Sequence, residues 1–298
     1  MDFVQTNIDG LLAGSAYALL ALGFSLVFGI MRQINLAYGS SLLVGAALAV
    51  WLEPILGLGV VGLFLLTVVA CVLAGLYVER LCFAPNRGKT GATVPMIASF
   101  AIWMQLDEVS SHLLPSRTHN FPGLEIPPMF FGDLYLRGDQ IVQFVVAFTS
   151  IAALYYLIYK TRFGLLLRAT AGNAETAFLL GAPTGRLRLM TFLLAGLLGG
   201  ISTFLILSAD GQVTPLFGLW STFKGLIAMM IGGVGSLPGA VIGGLLLGLI
   251  EAHSSTQFGA EYRDITTFGI LFLILIIRPG GIMGVSAYRT GRLAQERI

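Results

Sequence analysis

The sequence predicts an all-α fold: a polytopic transmembrane helical bundle of about eight membrane segments, one of them broken or re-entrant near residues 222–252. Three observations predict it. Of 298 residues, 56% are hydrophobic and only 11% are charged, and mean hydropathy is +0.87. Soluble domains carry about 25% charged residues, so this chain cannot cover a compact soluble surface. Intrinsic disorder is excluded for the same reason. The 38 glycines follow no Gly-X-Y period, which excludes collagen. Finally, the apolar residues fall in runs of about 20, the length that crosses a hydrocarbon core.

In order, the first span is Ile8–Ile30. Its flank, Met1–Asp9, is acidic rather than basic and the run is long, so it reads as a retained helix and not a secretory signal. Met31–Ser40 is a polar interruption, after which span two continues to Trp51. Span three is Gly59–Leu81, and span four, Ala92–Leu113, is unusually polar. A Pro-rich loop, Leu114–Asp139, leads to span five, Gln140–Tyr159. A long basic loop, Lys160–Arg188, precedes span six, Leu189–Ser208. Thr222–Ala252 is apolar but interrupted at Gly232–Gly239, and Ile265–Ile277 is the last span. Cys71 and Cys82 lie in or beside apolar sequence with no His or Cys cluster nearby, so they read as buried thiols rather than metal ligands. His112, His119 and His253 are isolated, and no metal or cofactor is expected.

Net charge is only +2, but its distribution orients the chain. Arg32, the Arg80–Lys89 loop, the Lys160–Arg188 loop and the C-terminal tail hold 13 of the 17 basic residues. By the positive-inside rule these are cytoplasmic, and the N-terminus and the Leu114–Asp139 loop are outside. Thr222–Ala252 must then start and finish outside. That calls for a re-entrant hairpin turning near Ser236-Leu237-Pro238, with arms of about 14 residues or about 21 Å. A single kinked span is the alternative, and it breaks the charge rule.

Polar residues inside spans are costly and default to functional hypotheses. Asn35, Tyr38, Ser99 and Gln105 are candidates to line a translocation pathway, because amides, hydroxyls and phenols bind a zwitterion without adding net charge. Asp107 and Glu108 sit toward the outer end of span four, and Lys224 reads as a snorkelling residue. Gly10/Gly14, Gly196/Gly200 and Gly235/Gly239/Gly243 have the spacing that lets helices approach closely in a bilayer. Gly232, Gly233 and Gly235 differ. Four glycines and a proline in eight residues cannot stay helical, and broken helices mark substrate sites in transporters. In the basic loop, Asn173 is placed to cap a short helix over 174–180, stopped by Gly181 and Pro183. Its apolar Ala177, Phe178 and Leu180 face either the inner leaflet or a docked partner. Gly88-Lys89-Thr90 imitates a phosphate-binding loop, but Phe83 stands where that motif needs glycine, so no ATPase site is expected in the chain.

Beyond this chemistry lies a resemblance. Arg168-Ala, Glu175, Ala177, Leu179-Leu180-Gly181 and Arg186 resemble the cytoplasmic loop of permeases of the branched-chain amino acid ABC transporter family, most closely its LivH branch. Gly14-Ser-Ala-Tyr17, Phe28-Gly29-Ile30, Glu79-Arg80, the Gly232–Gly244 run and Arg278-Pro-Gly-Gly-Ile282 are similar to further family segments. Ile34-Asn35-Leu-Ala-Tyr38-Gly39 resembles the family's Ile-Asn-x-Ala-His-Gly, with Tyr38 in place of His. The resemblance implies one permease domain over 1–298, in a bacterial inner membrane, with a coupling loop at about 160–188 and a cytoplasmic C-terminus. It implies that Arg168, Asn173, Glu175, Ala177, Leu180 and Gly181 contact separate ATP-binding subunits. It also implies a second, related permease subunit and an extracytoplasmic substrate-binding protein, docked near Pro115–Pro128 and Asp210–Trp220. Lipid surrounds the chain, and nucleic acid is not a partner. The implied solute is a branched-chain amino acid; relatives that import urea, short amides or aromatic and small carboxylates keep the alternatives open. The rival class is an ion-coupled secondary transporter, for which Asp107 is the candidate carboxylate. A membrane enzyme would need a clustered His, Asp or Glu set that is not found.

Overall fold

The computed structural model describes residues 2–85, 93–114, 118–124, 126–131 and 134–284. Arg87, the Gly88-Lys89-Thr90 segment, Pro115, Arg117, Glu125, Asp133 and the tail beyond residue 284 lie outside the described residues. The chain runs through α1 (Asp2–Met31), α2 (Tyr38–Leu56), α3 (Val60–Val78, extended by a wide π turn at Glu79–Phe83) and α4 (Thr93–Leu113). It continues through α5 (Gly138–Lys160), the short α6 (Arg162–Gly172) and α7 (Ala174–Leu179), and α8 (Thr184–Asp210). Helices α9 (Phe217–Gly232), α10 (Leu237–Phe258) and α11 (Arg263–Ile277) complete it. Strands β1 (His119–Asn120) and β4 (Gln212–Val213) pair antiparallel, as do β2 (Met129–Phe131) and β3 (Leu134–Leu136). Both pairs cap the end of the bundle where α1 begins. Gln5 stitches the second to α1 through the backbone of Tyr135, donating at 2.7 Å and accepting at 3.2 Å.

Among the described residues six helices are long and apolar enough to cross a membrane: α1, α2, α3 with its π turn, α5, α8 and α10. Helix α4 has the length but is too polar, while α9 and α11 have 16 and 15 residues. The count of eight segments therefore resolves into six clear spans plus three weaker ones.

Helix α1 is the central post. It is buried along most of its length and packs antiparallel to α10 at backbone contact. A methyl group on Gly10 would meet the Leu249 backbone at 2.9 Å, and one on Gly14 the Leu245 backbone at 2.9 Å. From the other side, Gly244 lies against Ala18 and Gly248 against Gly10 and Gly14. Gly196 and Gly200 do the same for α8 against Val72 and Val68 of α3, at 2.9 Å each. The small-residue spacing is therefore packing. In lipid, where apolar side chains gain nothing by leaving their surroundings, such close contact is what holds helices together.

The 222–252 segment is an antiparallel hairpin. Gly232 lies against Gly239, and Gly243 against Ala228 and Gly232, contacts impossible for one kinked helix. Its arms are not the two equal 14-residue pieces expected, since α10 alone has 22 residues, about 33 Å. Its turn reaches the end of the bundle where α1 finishes, because Gly235 packs on Gly29 at 3.6 Å. A re-entrant loop turning back at mid-depth does not describe it.

Replacing Gly248 by Val should overpack the α1–α10 seam and cost about 1–3 kcal/mol. Gly172→Ala, where nothing lies within 4 Å, should cost far less. The unfolding midpoint of the detergent-purified chain checks both.

Candidate functional site

Three places concentrate the polar side chains. The first is the loop between α5 and α8. Thr161 starts α6 as N-cap, its hydroxyl accepting from the Gly164 N–H at 3.2 Å. Asn173 caps α7, with Oδ1 accepting from the N–H groups of Glu175 (3.1 Å) and Thr176 (3.0 Å). Gly181 ends α7 at φ +88°, a conformation that favours glycine. Ala177 turns inward and packs with Ala182, Leu187 and Phe163. Phe178, Leu179 and Leu180 point away, 65%, 78% and 83% exposed. The module is tied to the bundle at both ends. Arg32 reaches the Gly172 carbonyl at 3.4 Å, and Arg188 at the start of α8 donates to Glu79 of the π turn at 3.0 Å. Glu79 is almost wholly buried, and its second oxygen has no hydrogen-bond partner among the described residues. Arg168 stacks over the Tyr159 ring at 5.3 Å, and Glu175 is exposed.

The second place is the break between α1 and α2. Arg32 takes φ +51°, rare for a residue with a side chain, and turns the chain back into the bundle. Helix α2 therefore starts inside the bundle. Tyr38 is wedged against Gly23 and Gly199, stacks edge-on to Phe24 (4.5 Å) and donates to the Ala195 carbonyl at 2.9 Å. Gly23 is eight residues, or about 12 Å, before the end of α1. Non-helical backbone at that depth needs partners. Asn35 Oδ1 accepts from the Ala37 N–H at 3.1 Å, and Ser99 Oγ accepts from Leu36 N–H at 3.2 Å. Asp107 is at this break and not at the outer interface, accepting from Ser40 (2.6 Å) and Trp103 (2.7 Å). Asn35, Tyr38 and Ser99 thus converge and are buried, while Gln105 points to the bundle exterior, where Tyr77 donates to it at 3.1 Å. At the α9–α10 break, Gly233 (φ +114°) and Gly235 (φ +78°) turn the chain. The last carbonyls of α9 are satisfied by a strap from beyond α11: Ile282 N–H donates to Ile231 (2.9 Å) and Met283 N–H to Gly232 (2.8 Å).

The third place is a polar cavity of about 420 Å³ between α1, α5, α8 and α9, at the end carrying the short strands. Lys224 does not snorkel. It donates to Glu251 Oε2 at 3.2 Å and to the Tyr17 hydroxyl at 2.9 Å, and is largely buried. Arg263 donates to the same carboxylate oxygen and, at 2.7 Å, to the same hydroxyl. Tyr17 in turn donates to Glu251 at 2.9 Å. Arg137 pairs with Asp139 at 2.6 Å and donates to the Ala209 carbonyl at 3.0 Å. Asp210 also lines the cavity. Sequence reasoning gave no site role to Tyr17, Glu251 or Arg263 and placed Asp210 only at the start of a docking segment. Glu251 carried a signal, since it lies 14 residues into the apolar run that Leu237 begins, with Lys224 in the preceding run.

Comparison with known proteins places these features in a family. A family profile described as "Branched-chain amino acid transport system / permease component" matches residues 7–276. The branched-chain amino acid permease BraD of Pseudomonas aeruginosa is 32% identical over 295 residues, covering 95% of this chain and 96% of its own. LivH of Escherichia coli K12 is 31% identical with the same coverage. The ribose import permease RbsC of Bacillus subtilis is 24% identical, over 92% of this chain and 81% of its own. Among solved structures, a metal-chelate type ABC transporter in an inward-facing conformation is similar in fold, with TM-score 0.55, 18% identity and 91% and 86% coverage. PsaBC from Streptococcus pneumoniae, solved with a Fab, gives TM-score 0.51 at 14% identity, covering 89% of each chain.

The Glu79–Arg188 pair joins the end of α3 to the start of α8 where neither group is well hydrated. Removing one partner strands a buried charge at a cost of about 3–5 kcal/mol, whereas replacing both with apolar residues is nearly neutral. Glu79→Ala should therefore lower the unfolding midpoint sharply, and the Glu79→Met, Arg188→Met double variant should recover most of it.

Proposed function

The chain belongs to the permease family of branched-chain amino acid ABC transporters, and from that premise we propose that it moves a branched-chain amino acid inward by alternating access, without catalytic chemistry of its own. A separate pair of ATP-binding subunits hydrolyses ATP. The 160–188 loop then lies in the cytoplasm, together with the C-terminus, and the strand-bearing end faces the outside of a bacterial inner membrane. The 13 basic residues on one side support this orientation. A second, related permease subunit completes the pathway, and an extracytoplasmic binding protein delivers solute to the strand-bearing cap, where Phe130 and Tyr135 are exposed.

One observation carries the reading: the α7 module. A six-residue helix is too short to persist alone. Here it is capped at both ends and anchored by Ala177, yet presents three adjacent apolar side chains outward. An exposed apolar cluster beyond the membrane spans marks a contact. Arg168, Asn173, Glu175, Ala177, Leu180 and Gly181 form the ATPase-coupling region in this reading. Force applied to α7 passes through Arg32 to the α1 break and through Arg188 to Glu79 at the foot of α3. Asn35, Tyr38, Ser99 and Gln105, with Gly232, Gly233 and Gly235, belong to the pathway or its hinges. The support is that Asn35, Tyr38 and Ser99 gather where α2 starts inside the bundle and that the three glycines form the α9–α10 turn, places where a small rotation changes access, whereas Gln105 faces outward. Substrate identity rests on the BraD and LivH relatives. Sugar importers also match, at lower identity.

The test is affinity purification of the tagged chain from mild detergent with its partners identified by mass. A stoichiometric ATPase is expected. Leu180→Asp should weaken its retention at least tenfold, since burial of one such side chain contributes about 1.5–3 kcal/mol. Replacing exposed residues on the opposite end, such as Phe130→Ser, should leave the ATPase bound. A chain that purifies alone, or an ATPase indifferent to Leu180→Asp, contradicts the reading.

A further inference from the structure

The cavity bordered by Tyr17, Lys224 and Arg263 holds an unusual distribution of charge. Glu251 is one carboxylate facing two cations, because Lys224 and Arg263 both donate to its Oε2. Tyr17 adds a neutral hydroxyl and its ring, over which the Lys224 ammonium lies at 4.6 Å. The group therefore carries one unit of positive charge more than it neutralises. Arg137 does not contribute to this excess, being spent on Asp139 and the Ala209 carbonyl. Asp210 lines the same cavity and makes no ion pair within 4 Å among the described residues. One wall thus has a surplus cation, and the cavity also presents a carboxylate that feels Lys224, Arg263 and Arg137 across the space without an ion pair to any of them. Charges within membrane-spanning helices are expensive and are retained for a purpose. The rest of the lining is mixed: apolar Leu20, Ile206, Phe217 and Trp220 alternate with polar Gln140, Gln143, Thr214 and Ser221.

We propose that this cavity is a subsite for a zwitterionic α-amino acid with an apolar side chain, its carboxylate held by Lys224 and Arg263 and its ammonium by Asp210. The inference rests on the reading of the chain as an amino-acid permease and deepens it by naming the groups that select the solute class. The volume of about 420 Å³ falls within the range of small-molecule sites, about 300–1,000 Å³. A zwitterion pairs directly with the cationic wall and with Asp210 at once, bridging two opposite charges that do not touch each other, which a neutral sugar, a urea or a simple carboxylate does not. The aliphatic side chain has Leu20 and Ile206 to meet. The position fits the direction of transport, since the cavity opens at the strand-bearing end, where solute arrives, and Lys224 lies two helical turns into α9. The alternative is that the charges are a structural clasp joining α1, α9, α10 and α11, with the cavity binding no solute.

Thiol protection separates the two. The native Cys71 and Cys82 are buried, so a Thr214→Cys chain carries its accessible thiol on the cavity wall. The full transporter, in ATP-depleted membrane vesicles, is labelled with a cationic methanethiosulfonate. Millimolar L-leucine should slow labelling of residue 214 fivefold or more and saturably. Isoamylamine, which lacks the carboxylate, and 4-methylpentanoate, which lacks the amine, should each slow it less than twofold. Asp210→Asn should abolish protection by leucine. Lys224→Met should do the same while leaving Glu251 paired one-to-one with Arg263, so the clasp survives. No protection by leucine, equal protection by the two analogues, or protection that persists in Asp210→Asn would each overturn the proposal. Co-purification of the ATPase from the same membranes keeps the failures apart: if leucine does not protect while the ATPase is retained, the subsite alone falls, and if the ATPase is absent, the permease reading falls with it.

Discussion

A backbone amide or carbonyl that leaves a helix within the bilayer core must find its partner inside the protein, because no water is there to supply one. The rest of this structure follows from how the chain meets that demand where α2 begins inside the bundle, and from how it seals the α9–α10 turn at the bundle's end. At 32–37 the partners are side chains, Asn35 and Ser99, with Tyr38 closing the gap against Gly23 and Gly199. At 233–236 they are main-chain groups of the segment that follows α11. Both solutions require neighbouring helices to come within backbone contact. That explains why glycines line α1, α10, α8 and α9 where a larger residue would keep the breaks open to lipid. Once the breaks are sealed, α2 can begin inside the bundle and α10 can return alongside α9.

The same two breaks lie at the end of the bundle that carries the 160–188 loop. Arg32, whose strained backbone begins the first break, also reaches the end of α6. Gly235 at the second packs on Gly29, one turn before α1 ends. Glu79 and Arg188 add a buried ionic joint between α3 and α8 on that side. The α7 module is therefore linked to the α1–α2 break through Arg32 and to the foot of α3 through Arg188. The opposite end has different chemistry. There a cluster of paired and unpaired charges surrounds a cavity, and short strands cover it. A chain with a charged cavity at one end and an exposed apolar helix at the other has a polar recess on one side and a docking face on the other.

Much of this was legible in the residues. Apolar run length located the long helices, since desolvation in lipid dominates other preferences, but it stopped five or six residues short of one end of each of α1, α2 and α8. The α7 cap was readable from Asn173 and Gly181, because capping is local chemistry. Gly10, Gly14, Gly196 and Gly200 announced close packing, although only the structure says which helix each one meets. Three readings went astray for one reason: they depend on long-range geometry. Lys224 looked like a snorkelling residue because its partners, Tyr17 and Glu251, are 207 and 27 residues away. The 222–252 segment looked too short for two crossings because its boundaries were drawn by hydropathy. Helix α9 starts at Phe217 and α10 runs on through Glu251 to Phe258, both beyond what an apolar window includes. Asp107 was misplaced similarly, since nothing local reveals that α2 begins deep in the bundle beside it.

The central claim is that this chain transports an amino acid under the power of ATP hydrolysed elsewhere. The most direct measurement is uptake of radiolabelled L-leucine into proteoliposomes holding the purified transporter with its ATPase and binding protein. The account predicts accumulation that needs internal ATP and external binding protein and that persists when ionophores collapse proton and sodium gradients. Uptake that proceeds without ATP and stops when those gradients are removed would contradict it. The carboxylates Asp107, Asp210 and Glu251 would then have to be reassigned as ion-coupling groups.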